Sequence, residues 1–169
     1  KKKPALPPRG RQAHALDILL QFLPLLGFKA ELTGEPLEFL SVEDLPLNAE
    51  VRRRGPILMF PDSRVPRKEW NGFYDLTAHL LKERPECSIV WAGSRGSEPE
   101  LDWPETRFAN LLGRTRIEQL PEIIASARLV LCNDSGPMHL AAAMHKPVLA
   151  LFGPTDHERF GPYPPGNPR

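Results

Sequence analysis

The sequence predicts an α/β fold with a mostly parallel sheet, and three observations carry that prediction. Short, largely apolar runs recur at Pro56–Phe60, Ser88–Ala92, Leu129–Cys132 and Pro147–Phe152. Segments with helical spacing lie between them. The last two runs end abruptly in turn-forming residues, Asn133-Asp134-Ser135-Gly136-Pro137 and Gly153-Pro154-Thr155-Asp156. Strands that alternate with helices specify βα units and a parallel sheet, with right-handed crossovers.

Bulk properties set the limits. At 169 residues the chain is about one domain long. It is 41% hydrophobic and 25% charged, the composition of a soluble globular protein. A net charge of +1 implies no general field for nucleic acid. The two cysteines, Cys87 and Cys132, sit in or beside strands without metal-ligand spacing. They read as buried free thiols in a reducing compartment. No secretory signal is visible, and the expected location is cytoplasmic.

The elements follow in order. Residues 1–12 are basic, Pro-rich and free of acidic side chains, which reads as a lead or linker. Such a segment suits a solvated tail or a peripheral contact with an anionic inner-membrane face. A single domain then occupies 13–169, most clearly over 56–162. Ala13–Phe28 is apolar but too short and too interrupted to span a bilayer. It reads as a helix that Pro24 ends or kinks. Residues 31–54 read as loop, with a short strand at Leu37–Leu40. The strand Pro56–Phe60 leads through the loop Pro61–Trp70 into a helix over Trp70–Arg84, with Phe73, Leu76, Leu80 and Leu81 on one side. After the strand Ser88–Ala92, residues 93–102 form a polar loop. A helix over Ile117–Ala127 feeds the strand at Leu129, a helix over Met138–Met144 follows, and the strand Pro147–Phe152 comes next.

The turn at 133–137 carries the clearest chemistry. Pro137 suits a first helical position, where its missing N–H is not needed. Asp134 or Ser135 can cap the first turn, and Gly136 admits close backbone approach. Free amides of Gly136 to Met138, with the helix dipole, make a site for a phosphate or diphosphate. His139, in the first turn, can hydrogen-bond a phosphate oxygen. Asp134 repels phosphate, so its expected roles are capping or accepting a hydrogen bond from a sugar hydroxyl. The loop 62–68 belongs on the same sheet edge. There Ser63 offers a hydroxyl and an amide, and Arg64 and Lys68 offer positive charge. Thr155 and Asp156 either line the same pocket or form an Asx-type turn.

The string Asn133-Asp134-Ser135-Gly136-Pro137-Met138-His139-Leu140-Ala141-Ala142-Ala143, followed by Pro147-Val148-Leu149-Ala150-Leu151-Phe152-Gly153-Pro154-Thr155-Asp156, resembles glycosyltransferase family 9. Asn110-Leu111-Leu112-Gly113-Arg114-Thr115 and Lys68-Glu69-Trp70 extend the resemblance, which covers roughly 56–162. It implies a Rossmann-like, three-layer α/β/α domain, the second and donor-binding half of a two-domain GT-B enzyme. It also implies that Lys68 stands beside the donor diphosphate and that Gly93 and Ser94 meet the base and ribose. Glu98 or Glu100 is a further candidate for the ribose. The family's usual glycine after proline is Asp62 here, and Arg64 stands where a small hydroxyl residue is common.

The resemblance thus implies a domain that binds an ADP-heptose-like sugar nucleotide for an inverting glycosyltransferase of lipopolysaccharide core synthesis. The glycolipid acceptor and the general base belong to a separate N-terminal domain, so no catalytic residue is assigned in this chain. Neither a cofactor nor a metal is expected, since amides and Lys68 can meet the diphosphate charge. His14, His79, His145 and His157 form no metal set. There is no P-loop, G-x-G-x-x-G or G-x-S-x-G. A non-catalytic nucleotide-binding module and a nucleotide-sugar epimerase are the alternative readings.

Overall fold

A computed structural model describes residues 13–28, 35–36, 45, 47–94 and 103–163. Five strands, β1 (Ile57–Phe60), β2 (Ile89–Gly93), β3 (Phe108–Leu112), β4 (Leu129–Asn133) and β5 (Val148–Leu151), form one sheet in the order β3-β2-β1-β4-β5. Every pairing is parallel. The central strands read as unbroken apolar runs because both of their faces are covered. Leu58, Met59 and Phe60 of β1 are all at most 1% exposed.

Alternation along the strands sorts these side chains between two layers. Leu58 and Phe60 join Val90, Val130 and Cys132 on one face. There they pack against α2 (Ala49–Arg53), α4 (Leu120–Ser126) and α5 (Gly136–Ala143), through Val51, Ile123, Ile124, Met138 and Ala141. Met59, Ile89, Trp91 and Leu131 face the opposite layer, α3 (Phe73–Glu83). Phe73, Thr77 and Leu81, four residues apart along α3, form its buried stripe. The polar member is satisfied: Thr77 Oγ1 donates to the Phe73 carbonyl at 2.7 Å and accepts from Trp91 Nε1 at 3.0 Å. Each fully buried aliphatic or aromatic side chain contributes about 1.5–3 kcal/mol of transfer free energy.

The structure departs from the sequence reading in three places. Residues 108–112 form strand β3, where no strand was expected. Asn110 interrupts the short apolar run, and the segment is a strand because it pairs in parallel with β2 from Phe108 to Leu112. Trp103, Trp91 and Phe108 meet edge to face, with centroids 4.7–5.8 Å apart. Within 31–54, read as loop, Ala49–Arg53 is the helix α2. Asn48 caps it by accepting the Glu50 N–H at 2.8 Å, and Val51 anchors it to the core. The apolar segment 13–28 divides into α1 (Ala15–Leu20) and a 3-10 turn, Leu23–Leu26, with Pro24 in its first turn. The strand expected at Leu37–Leu40 lies outside the described residues. A short helix, α6 (His157–Phe160), follows β5.

The chain runs outward from β1 through β2 to β3, then returns to place β4 against the other side of β1. Strand order therefore reverses between β1 and β4. In open α/β sheets the crevice beyond the carboxyl ends of such strands is where ligands bind.

Candidate functional site

A cleft of about 710 Å³ opens at this reversal. Its walls come from the loop after β1 (Asp62, Ser63, Arg64, Lys68), the end of β2 (Gly93, Ser94), the segment after β3 (Thr115, Arg116, Ile117) and the turn after β4 (Asp134 to Pro137). Parallel strands bring these four connections to one edge, as the sequence implied for Lys68 and the 133–137 turn.

The turn itself is built differently from expectation. Ser135 occupies the N-cap position of α5, but no side chain caps that helix. The Ser135 hydroxyl instead donates to the Asn133 carbonyl at 3.1 Å. Asp134 caps nothing either. Its carboxylate, 6% exposed, accepts from Lys68 Nζ at 2.6 Å. The Met138 amide is consumed by the Ser135 carbonyl at 3.1 Å, and its side chain is fully buried. Pro137 has no N–H. The amides of Ser135 and Gly136 make no backbone hydrogen bond among the described residues and stand at the cleft wall. The amides left without a backbone partner at this turn are thus those of Ser135 and Gly136, where Gly136 to Met138 were expected.

His139 is not among the residues that line the cleft. It is exposed, on the first turn of α5. Its pKa lies below the usual histidine value. Desolvation by the surrounding chain outweighs the opposing charge of Asp134, and His14 adds to the lowering. The helical rotation that sends Met138 into the core and Leu140 to the cleft turns His139 away.

The loop 61–70 is tied down by its own side chains. The Ser63 amide donates to Glu69 Oε1 at 2.9 Å, and Ser63 Oγ accepts the Val65 N–H at 3.2 Å. Ser63 lines the cleft, but its amide is engaged within the loop rather than offered to an anion. Arg64 is exposed at the wall. Lys68 ends a short 3-10 turn, Pro66–Lys68, and is matched by Asp134 instead of standing as an unpaired cation. Asp62, which the sequence cast as a repulsive charge in this loop, turns to the end of β2. It accepts the Ser94 N–H at 2.8 Å and the Ser94 hydroxyl at 2.9 Å. Gly93 makes this possible, since a Cβ there would collide with the Asp62 carboxylate. Gly93 and Ser94 therefore line the cleft while securing Asp62.

Thr155 and Asp156 do not line the cleft. Asp156 caps α6 by accepting the Glu158 N–H at 2.9 Å, which selects the Asx-type reading. Glu98 and Glu100 lie outside the described residues. Cys87 and Cys132 are both buried free thiols. Burial, with the charge of Asp134 beside it, pushes the Cys132 thiol up to about 12, so it is no nucleophile at neutral pH. Among the described residues no group of histidine, cysteine and acidic side chains could hold a metal ion. No described helix is long and apolar enough to cross a membrane.

Two contributors escaped the sequence reading. Thr115, Arg116 and Ile117 line the cleft, and Arg116 adds a cation there. The leucine-glycine-x-threonine element, Asn110 to Thr115, marked the position of Thr115 without giving it a role. Asn133 is fully buried and hydrogen-bonded to the 61–70 loop.

A five-stranded parallel sheet with a cleft at its strand reversal, and a glycine-bearing turn leading into a helix, define a Rossmann-like α/β domain. Residues 28–167 match the family model of glycosyltransferase family 9 (heptosyltransferase), and the chain belongs to that family. It is 39% identical over 162 residues to the lipopolysaccharide core heptosyltransferase OpsX of Haemophilus influenzae, covering 89% of this chain and 45% of the relative. It is 40% identical over 138 residues to the lipooligosaccharide heptosyltransferase 2 of Campylobacter jejuni, covering 72% and 43%. The solved ADP-heptose lipopolysaccharide heptosyltransferase II of Escherichia coli superposes with a TM-score of 0.56 at 28% identity, covering 69% of this chain and 37% of that one. The chain thus spans less than half the length of each of these proteins.

Proposed function

We propose that the cleft binds the diphosphate of an ADP-heptose-like sugar nucleotide and that this domain is the donor half of an inverting glycosyltransferase. One observation carries the reading: the free amides of Ser135 and Gly136 and the cations Arg64, Lys68 and Arg116 all face one cleft at the strand reversal. Amides at a helix start bind anions without a counter-charge of their own. Lys68 is paired with Asp134, so the pair presents a fixed dipole. Arg64 and Arg116, both exposed at the cleft wall, supply further positive charge. As the sugar leaves, the diphosphate gains charge, and donors already fixed around it favour that change.

In this reading Asp134 holds Lys68 and can accept from a sugar hydroxyl. The acceptor glycolipid and the general base are supplied by a separate domain. The family names of the matched relatives support heptose as the sugar and lipopolysaccharide core as the product. Calorimetric titration of this chain with ADP-, UDP- and GDP-sugars tests it. Weak, saturable binding that prefers ADP, without transfer to an acceptor, is expected. Absence of any nucleotide binding, or robust transfer by this chain alone, contradicts it.

A further inference from the structure

Asn133, the last residue of β4, is fully buried. Its carboxamide reaches across to the loop that leaves β1. Nδ2 donates to the Pro61 carbonyl at 2.9 Å and to the Phe60 carbonyl at 3.4 Å. Oδ1 accepts the Trp70 N–H at 3.1 Å. Pro61 and Trp70 are the two ends of the loop 61–70, so one side chain closes its neck. Between them the loop carries Ser63, Arg64 and Lys68 to the cleft wall. The next residue, Asp134, then holds the Lys68 ammonium. Consecutive residues of β4 and its turn thus fix the backbone of the loop and the head group of its lysine.

The residue type follows from the chemistry. The neck presents carbonyls at one end and an N–H at the other, and the fixing group must both donate and accept within one short side chain. Aspartate has the shape of asparagine, but its carboxylate cannot donate to Pro61. Glutamine has the right groups on a longer stem, which the fully buried site has no room to hold.

We propose that Asn133 is a positioning residue of the donor cleft. It holds the loop 61–70 so that Lys68 stands beside Asp134 and the amides of Ser135 and Gly136, and it touches no ligand itself. The inference rests on the donor-site reading above.

Two measurements on the whole chain test it. The first is amide hydrogen exchange across 61–70 in the parent, Asn133→Asp and Asn133→Ala. Faster exchange at Trp70 and Ser63, with the amides of β2 unchanged, is the expected result. Where Asn133→Asp does not fold, Asn133→Ala carries the same test. The second is the ADP dissociation constant. It should rise about tenfold on Asn133→Ala in the parent, but less than about twofold when Lys68 is already alanine. Val51→Ala, at the buried side chain that anchors α2 to the core, serves as a variant of lowered stability and should leave ADP affinity unchanged.

Unaltered exchange in 61–70 overturns the proposal. So does an equal loss of affinity in both lysine backgrounds, or the same loss in Val51→Ala. A parent chain that binds no ADP refutes the donor-site reading instead, and the exchange data then decide the hold on the loop by themselves.

Discussion

Of the two roles expected for Asp134, capping the helix or accepting from a sugar hydroxyl, the structure removes the first and ties the carboxylate to Lys68. The distinction has a measurable consequence. Asp134→Ala removes no cap but leaves a partly buried ammonium without its partner, at an expected cost of about 1–3 kcal/mol. Ser135→Ala loses a single bond to the Asn133 carbonyl and should stay within about 0.5–1.5 kcal/mol. Urea denaturation of the two variants separates them. Equal effects would return capping to consideration. His139 supplies a pH dependence. Its folded-state pKa is depressed, so the unfolded chain takes up a proton first as pH falls below about 6.5. Stability associated with this histidine is therefore complete above that pH and declines below it. His139→Gln should flatten the fall in stability between about pH 7 and pH 5. An unchanged slope would mean that the imidazole titrates alike in both states.

At the scale of elements, what the sequence made legible was the part encoded locally. β4, α5 and β5 were readable because continuous apolar runs are punctuated by Asp-Ser-Gly-Pro and Gly-Pro-Thr-Asp. The shared edge of Lys68 and Ser135 followed from parallel topology alone. β3 was not readable because its strand character lies in backbone pairing with β2 and in the packing of Phe108 on Trp91 and Trp103, not in a long apolar run of its own. Nor were the partners of Asp62, Asp134 and Asn133, since each bond spans at least 32 residues of sequence. The direction of His139 depended on a helical phase that one residue's shift in the α5 start changes. Arg107 is a similar long-range device. Its guanidinium donates to the carbonyls of Leu81 and Arg84 at the end of α3, both at 2.8 Å, and to Cys87 at 3.0 Å. It thus satisfies helix-end acceptors while joining α3 to the start of β3. Arg107→Ala should lower stability by about 1.5–3 kcal/mol without altering nucleotide affinity. A large loss of affinity would show that the α3 layer reaches the cleft.

For the whole molecule, the sheet sets the placement and the loops set the chemistry. Covering both faces of β1 and β4 leaves their carboxyl ends as the open edge, and four connections converge there. The central claim is that these connections bind a nucleoside diphosphate through the 135–136 amides, with Lys68 as the cation the fold holds in place. Amide chemical-shift mapping during an ADP titration tests it most directly, run on the parent chain and on Lys68→Ala. The account predicts saturable shifts centred on Ser135, Gly136, Arg64 and Arg116. It also predicts a dissociation constant about ten- to a hundredfold higher in Lys68→Ala, the loss of a charged hydrogen bond worth about 1.5–3 kcal/mol. Shifts that map to the α3 layer or to α6, or an affinity indifferent to Lys68, would contradict it.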